Sequence, residues 1–193
     1  MNQPSNKIPF QALSNHFLIA MPGLIDSNFS HAVIYICEHT QEGAMGLVVN
    51  YPIEIPLSQV FEQFEIGYPP GIGAQWLLSG GPVQTDRGFI LHRPAGQKWK
   101  STQTISHDIS LTSSKDIIPD IARERGPHEL IIALGYSGWG PGQLEEELAN
   151  NAWLTVPADA DIVFNVPFDQ RAGAAAAKIG IDLNQLSVNA GHA

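Results

Sequence analysis

A single cysteine, Cys37, stands in a chain of 193 residues. With no second thiol an intramolecular disulfide is excluded, so packing has to hold the fold, and the sequence suits a reducing compartment. Positive charge is also scarce: ten lysines and arginines face nineteen acids, a net charge of −9. That balance repels polyphosphates and anionic membrane surfaces, so direct DNA binding is disfavoured. Long hydrophobic runs are missing, and no stretch approaches the roughly 20 apolar residues that cross a bilayer. The best N-terminal candidate, Phe17 to Met21, is short and lacks the basic flank of a secretory signal, so a cytoplasmic location without membrane partners is expected. Neither a G-x-G-x-x-G nor a Walker loop is present, and there is no H-E-x-x-H motif or cysteine pair. No cofactor and no metal site are therefore expected.

What is present supports one core. Hydrophobic residues make up 44% of the chain, enough for a single domain of this length. Residues 1–14 carry two prolines and little periodicity and read as a flexible tail, leaving 15–193 as the domain. HFLIAMPG reads as a buried strand stopped by Pro22 and Gly23. HAVIYICE (31–38) is β-branched and apolar on both faces, and AMGLVVN returns after the turn HTQEG, giving a central hairpin. Pro56 with Leu57, Val60, Phe61 and Phe64 at helical spacing predicts a short amphipathic helix starting at the proline. WLLSGGPV and RGFILH predict two strands joined by a turn on Gly80, Gly81 and Pro82. Ser113 and Asp116 resemble a capping box ahead of Ile117, Ile118 and Ile121, with Pro119 requiring a late start or a kink. HELIIALGY predicts a strand and GQLEEELANN a helix with Leu144 and Leu148 inward. Asp159 to Ile181 has helical composition, with Gly180 as its cap. Strands and helices alternate without a βαβ period or an internal repeat, which favours an irregular α+β fold.

Three groups of residues carry possible chemistry. In Cys37-Glu38-His39, strand alternation sends Cys37 and His39 to one face about 7 Å apart, where the histidine could support a reactive thiolate for redox sensing or catalysis. The competing and favoured reading is a small buried hydrophobe. LGYSGWGPGQLEEEL looks like a strand, a glycine turn and a helix, the setting of a nucleophilic serine. Ser137 lacks the glycine two residues on, because Trp139 stands there, and the only later histidine is His192. Glycine amides at a helix start could cradle an anion, but Glu145, Glu146 and Glu147 oppose one. Tyr136 and Trp139 could instead wall a ligand pocket shared with Gly80, Gly81 and Gln143. Last, Arg87, Arg93, Lys98 and Lys100 cluster with His92 and Trp99, either as a basic contact patch or, more simply, as a charged and solvated hairpin edge.

The strings HFLIAMPGL, YICEHTQEGAMGLVVN, GGPV, DRGFILH and LGYSGWGPGQLEEEL leading to NNAWLTVPAD resemble the AlgH/YqgE family of bacterial proteins, from about His16 to the terminal GHA. The resemblance implies a cytosolic α+β domain with a bifurcated mixed sheet curled into a pseudo-barrel and helices packed around it. It also implies a regulatory role in transcription, exercised through a protein or a small ligand, without established catalytic residues. Two positions depart from the family's usual pattern: Ser137, where alanine is common, and Ala172, where tryptophan commonly follows the arginine at 171.

Overall fold

The computed structural model describes residues 12–24 and 26–186. The expected tail lies mostly outside this range. Its last residues are docked rather than loose, with Leu13 buried and Ser14 accepting a hydrogen bond from the His39 amide.

The first strand, β1 (His16–Ala20), leads to the long hairpin β2 (Val33–Thr40) and β3 (Gly43–Val48). β4 (Pro52–Pro56) runs directly into α1 (Leu57–Gln63), which begins one residue after the proline because Pro56 is still extended. There follow β5 (Trp76–Ser79), β6 (Val83–His92), β7 (Thr102–Thr104) and β8 (Ser110–Thr112). The isoleucine segment forms a 3-10 turn over Lys115–Ile117 before α2 (Ile118–Ala122), with Pro119 in the first helical turn, where its missing N–H costs nothing. β9 (Leu130–Trp139), α3 (Gln143–Ala149) and β10 (Trp153–Pro157) complete the sheet. The C-terminal helical segment splits at Pro167 into α4 (Ala160–Phe164) and α5 (Arg171–Ala177).

The ten strands of the described residues join one mixed sheet in the order β10-β1-β2-β3-β9-β6-β8-β7, with β4 and β5 branching from it, and it curls into a half-barrel. The branch point is β9. Leu78 and Ser79 of β5 pair in parallel with Ala133 and Leu134, while Ala44 to Gly46 of β3 pair with Ser137 to Trp139 further along. β6 pairs antiparallel with the same Ala133 and Leu134 that β5 uses, so the two strands flank β9 on opposite edges. β5 and β6 are thus not a hairpin, and Gly80-Gly81-Pro82 carries the chain across β9.

Side-chain alternation assigns the cores. Val33, Tyr35 and Cys37 of β2 face a central cluster filled by α4 and α5, with Phe17, Leu47, Phe89 and Leu91. Ile34 and Ile36 point the other way, into a cluster with Trp139, Trp153 and Leu144 of α3. A further cluster seats α1 and α2 on Leu77, Ile90 and Ile132. Helices on both faces explain why β2 reads as a nearly continuous apolar run.

Candidate functional site

The structure separates Cys37 from His39. The β2–β3 ladder slips between Ile36 and Glu38, so Cys37 is the extra residue of a bulge, and a bulge breaks the two-residue alternation beyond it. Cys37 stays in the central cluster, 2% exposed. His39 passes to the opposite face, where Nδ1 accepts from the Leu13 amide at 3.1 Å and Nε2 donates to Glu145 at 3.0 Å. Burial, and then the charge of Glu38, push the thiol well above its ordinary range. A thiol so placed is a packing group.

Of the glycine, aromatic and glutamine candidates, Tyr136 and Trp139 line one cleft together, and Gly80, Gly81 and Gln143 do not line it. Gly80 and Gly81 are occupied by β9: a Cβ on Gly80 would stand 2.3 Å from the Gly135 carbonyl oxygen, and one on Gly81 2.2 Å from the Tyr136 carbonyl carbon. They are sites of close backbone approach, with Gly135 at φ +71 completing the contact. Tyr136 turns to the central cluster and meets Phe89 edge-on at 5.6 Å. Trp139, three residues on, faces α3, and its indole N–H donates to Glu147 at 2.8 Å beside that of Trp153 at 2.7 Å. Gln143 closes the turn into α3, accepting from the Gly140 amide and donating to Glu147. Ser137 is no nucleophile at a turn. β9 continues through it to Trp139, and its buried hydroxyl donates to the Gly80 carbonyl at 3.3 Å.

The basic stretch is dispersed in the same way. Arg93 is held by Glu129 at 2.9 Å, Asp161 at 2.5 Å and Asp108 at 3.6 Å. The Trp99 indole is buried and donates to Asp120 at 3.0 Å. Lys98 and Lys100 are exposed on the loop before β7. Arg87 stands six residues before Arg93, about 20 Å away along an extended strand.

Arg87 sits where chemistry and shape coincide. The β6–β9 register is irregular between Val83 and Gly88; Thr85 still backs onto Gly135 of β9, and Gln84 and Arg87 line a cleft on either side. One cleft, about 670 Å³, holds Met45, Phe89, Tyr136 and Trp139 and carries Glu38 and Glu42; Arg87 lines it too, its guanidinium 5.2 Å from the centre of the Phe89 ring. The other, about 650 Å³, opens between α1 and α2 over Leu77, Ile90, Ile132 and Leu134, with Val60, Phe64 and Ile118 as walls. Its rim presents Arg87, Lys115, Ser113 and Asp86. Arg87 donates to Gln84 and Ser113 at 3.3 and 3.4 Å, and the Lys115 ammonium lies 5.3 Å from the Phe64 ring. Neither cation forms an ion pair among the described residues. Sequence reading singled out Arg87 alone; Lys115 joins it because the 3-10 turn before α2 folds it toward α1. Among the described residues no group of three potential metal ligands comes together, and no helix is long and apolar enough to cross a membrane.

Residues 17–184 match the family described as AlgH-like. The chain belongs to that family. A UPF0301 protein of Thioalkalivibrio sulfidiphilus is 53% identical over 180 residues, covering 93% of this chain and 96% of that one. The UPF0301 protein of Saccharophagus degradans is 50% identical over 184 residues, 95% and 90% of the two chains. Among solved structures, the AlgH protein from Pseudomonas aeruginosa superposes with a TM-score of 0.77 at 46% identity over the whole of both chains. A protein from Corynebacterium diphtheriae shares the AlgH-like fold with a TM-score of 0.70 at 19% identity, over 92% of this chain and 93% of that one.

Proposed function

We propose that this AlgH-like chain is a regulatory binding module whose pocket between α1 and α2 takes an acyl-chain carboxylate. The observation that carries the reading is the pairing of an apolar floor from β5, β6 and β9 with two cations at the rim that make no ion pair among the described residues. An apolar cavity with a few convergent polar groups is the usual form of a small-molecule site. In a chain of net charge −9, the positive rim is a local exception and favours an anionic headgroup. The facing cleft shares Arg87 but sets Glu38 and Glu42 beside it where this one has Lys115, and so disfavours the same ligand. Occupancy is read out at α1, whose exposed Gln59, Glu62 and Gln63 can meet a protein partner.

Calorimetric titration with decanoate, set against uncharged decanol, tests this reading. Decanoate should bind at one saturable site, and both decanol and the Arg87→Ala variant should weaken binding by about tenfold, the loss of one charge-assisted contact. Arg87 is exposed, so its removal leaves the fold intact. Equal affinity for decanol and decanoate, or an unchanged affinity in Arg87→Ala, would overturn the assignment.

A further inference from the structure

Arg171, the first residue of α5, is 2% exposed, and it is the only lysine or arginine buried among the described residues. Its Nε donates to the Val166 carbonyl at 2.9 Å, one terminal nitrogen donates to the Val49 carbonyl, and the guanidinium lies 4.5 Å from the centre of the Phe168 ring. All of these partners are neutral. Arg93 draws three carboxylates, whereas Arg171 forms no ion pair among the described residues. Burying a cation without a counter-charge is unfavourable, and burial alone holds this guanidinium down at about 10.

The remaining terminal nitrogen of Arg171 has no acceptor among the described residues. It is not sealed in the core either, because no fully buried side-chain nitrogen or oxygen lacks a partner there. It therefore opens into the cleft that Arg171 lines, about 770 Å³ between the start of β9 and the α4–α5 connection. Pro52, Ile131, Phe164 and Phe168 give that cleft apolar walls. Two acids border it. Glu129 is occupied by Arg93 and Asn165, and Asp169 is exposed at the rim. Their presence selects against a multiply charged ligand such as a phosphate dianion and leaves room for a single negative charge.

We propose that this cleft is a second binding site, for a compact organic carboxylate. One carboxylate oxygen accepts from the free terminal nitrogen of Arg171, and the apolar body lies between Phe164, Phe168 and Ile131. The site is separate from the α1–α2 pocket, since it shares no lining residue with it, and it does not depend on that assignment.

The test follows amide NMR spectra of the full chain during titration with 3-phenylpropionate and, in parallel, with its uncharged amide. The carboxylate should shift residues 128–131 and 164–171 in a saturable manner, with the amide at least about tenfold weaker. Asp169→Asn, an exposed substitution, should tighten carboxylate binding about two- to fivefold by removing a screened repulsion. Arg171→Gln should abolish it where the variant remains folded by circular dichroism, and the first two comparisons decide the matter if it does not. Equal binding of the amide, shifts confined to other surfaces, or no tightening in Asp169→Asn would overturn the proposal.

Discussion

At the scale of single residues, chemical identity is a poor guide to role, because burial and partners decide it. Cys37 has the reactive group of the chain but is 2% exposed, and its thiol is raised by burial. In the native protein, alkylation by iodoacetamide should be slow and show no rise in rate near the free thiol's pKa of about 8.5. Rates should instead follow denaturant-induced opening; a fast native reaction titrating below pH 8 would restore the thiolate reading. His92 is the complementary case. Its Nδ1 donates to the Arg93 carbonyl at 2.7 Å, and Nε2 accepts from Thr112, which in turn accepts from Thr102. Burial lowers its pKa below 6.5, against the raising effect of the Arg93 carbonyl. Below about pH 6.5 the unfolded chain therefore binds a proton that the folded chain resists, so this stability is complete above that pH and is lost as pH falls through it. Urea unfolding at pH 7.5 and 5.5 should show the loss, and His92→Gln should flatten it. The lowered carboxylates Asp116, Glu129 and Asp159 act below about pH 4.5 and do not overlap this window.

At the scale of elements, the glycines set where strands can touch. Gly81 has φ +151 and would place a Cβ 2.2 Å from β9 backbone, whereas Gly88 in β6 has nothing within 4 Å. Gly81→Ala should lower stability by several kcal/mol or prevent folding, and Gly88→Ala should stay within about 1 kcal/mol. Denaturation midpoints of the pair check the contrast. The difference also marks what the sequence makes legible. The β2–β3 hairpin, β1, α1, α3 and the late start of α2 are written in local periodicity and proline placement. The family resemblance supplied the bifurcated sheet, since local pattern could not. Gly80 and Gly81 look like turn glycines from either side, and only their long-range partners Gly135 and Tyr136 reveal a crossing. The bulge at Cys37 is likewise silent, because no residue type near it demands one, and that one-residue slip sends His39 to the other face. The α1–α2 pocket and the Arg171 cleft were illegible for the same reason: each draws its walls from segments far apart in the chain.

At the scale of the whole molecule, one sheet serves several cores. β2 contributes alternate residues to the central cluster and to the α3 cluster, and β9 contributes Ile131 and Ala133 to one side and Ile132 to the α1–α2 side. No cluster can therefore dissolve without exposing the back of another. The sheet forks at β9, with β5 and the later half of β6 pairing on its first half and β3 on its second. The glycine crossing ties the two branches there, through the Gly80 amide on Leu134 and the Val48 amide on the Gly80 carbonyl. Unfolding should accordingly be a single cooperative event. Trp99 reports the α1–α2 core, and Trp139 and Trp153 report the α3 core. Single-tryptophan variants keeping Trp99 or Trp153, with Trp76 replaced in both, should unfold at the same urea concentration as the far-ultraviolet circular dichroism signal. Separated transitions would mean that the fork divides the sheet into two independently stable halves. In that case a ligand bound between α1 and α2 would stabilise only the half that carries Trp99.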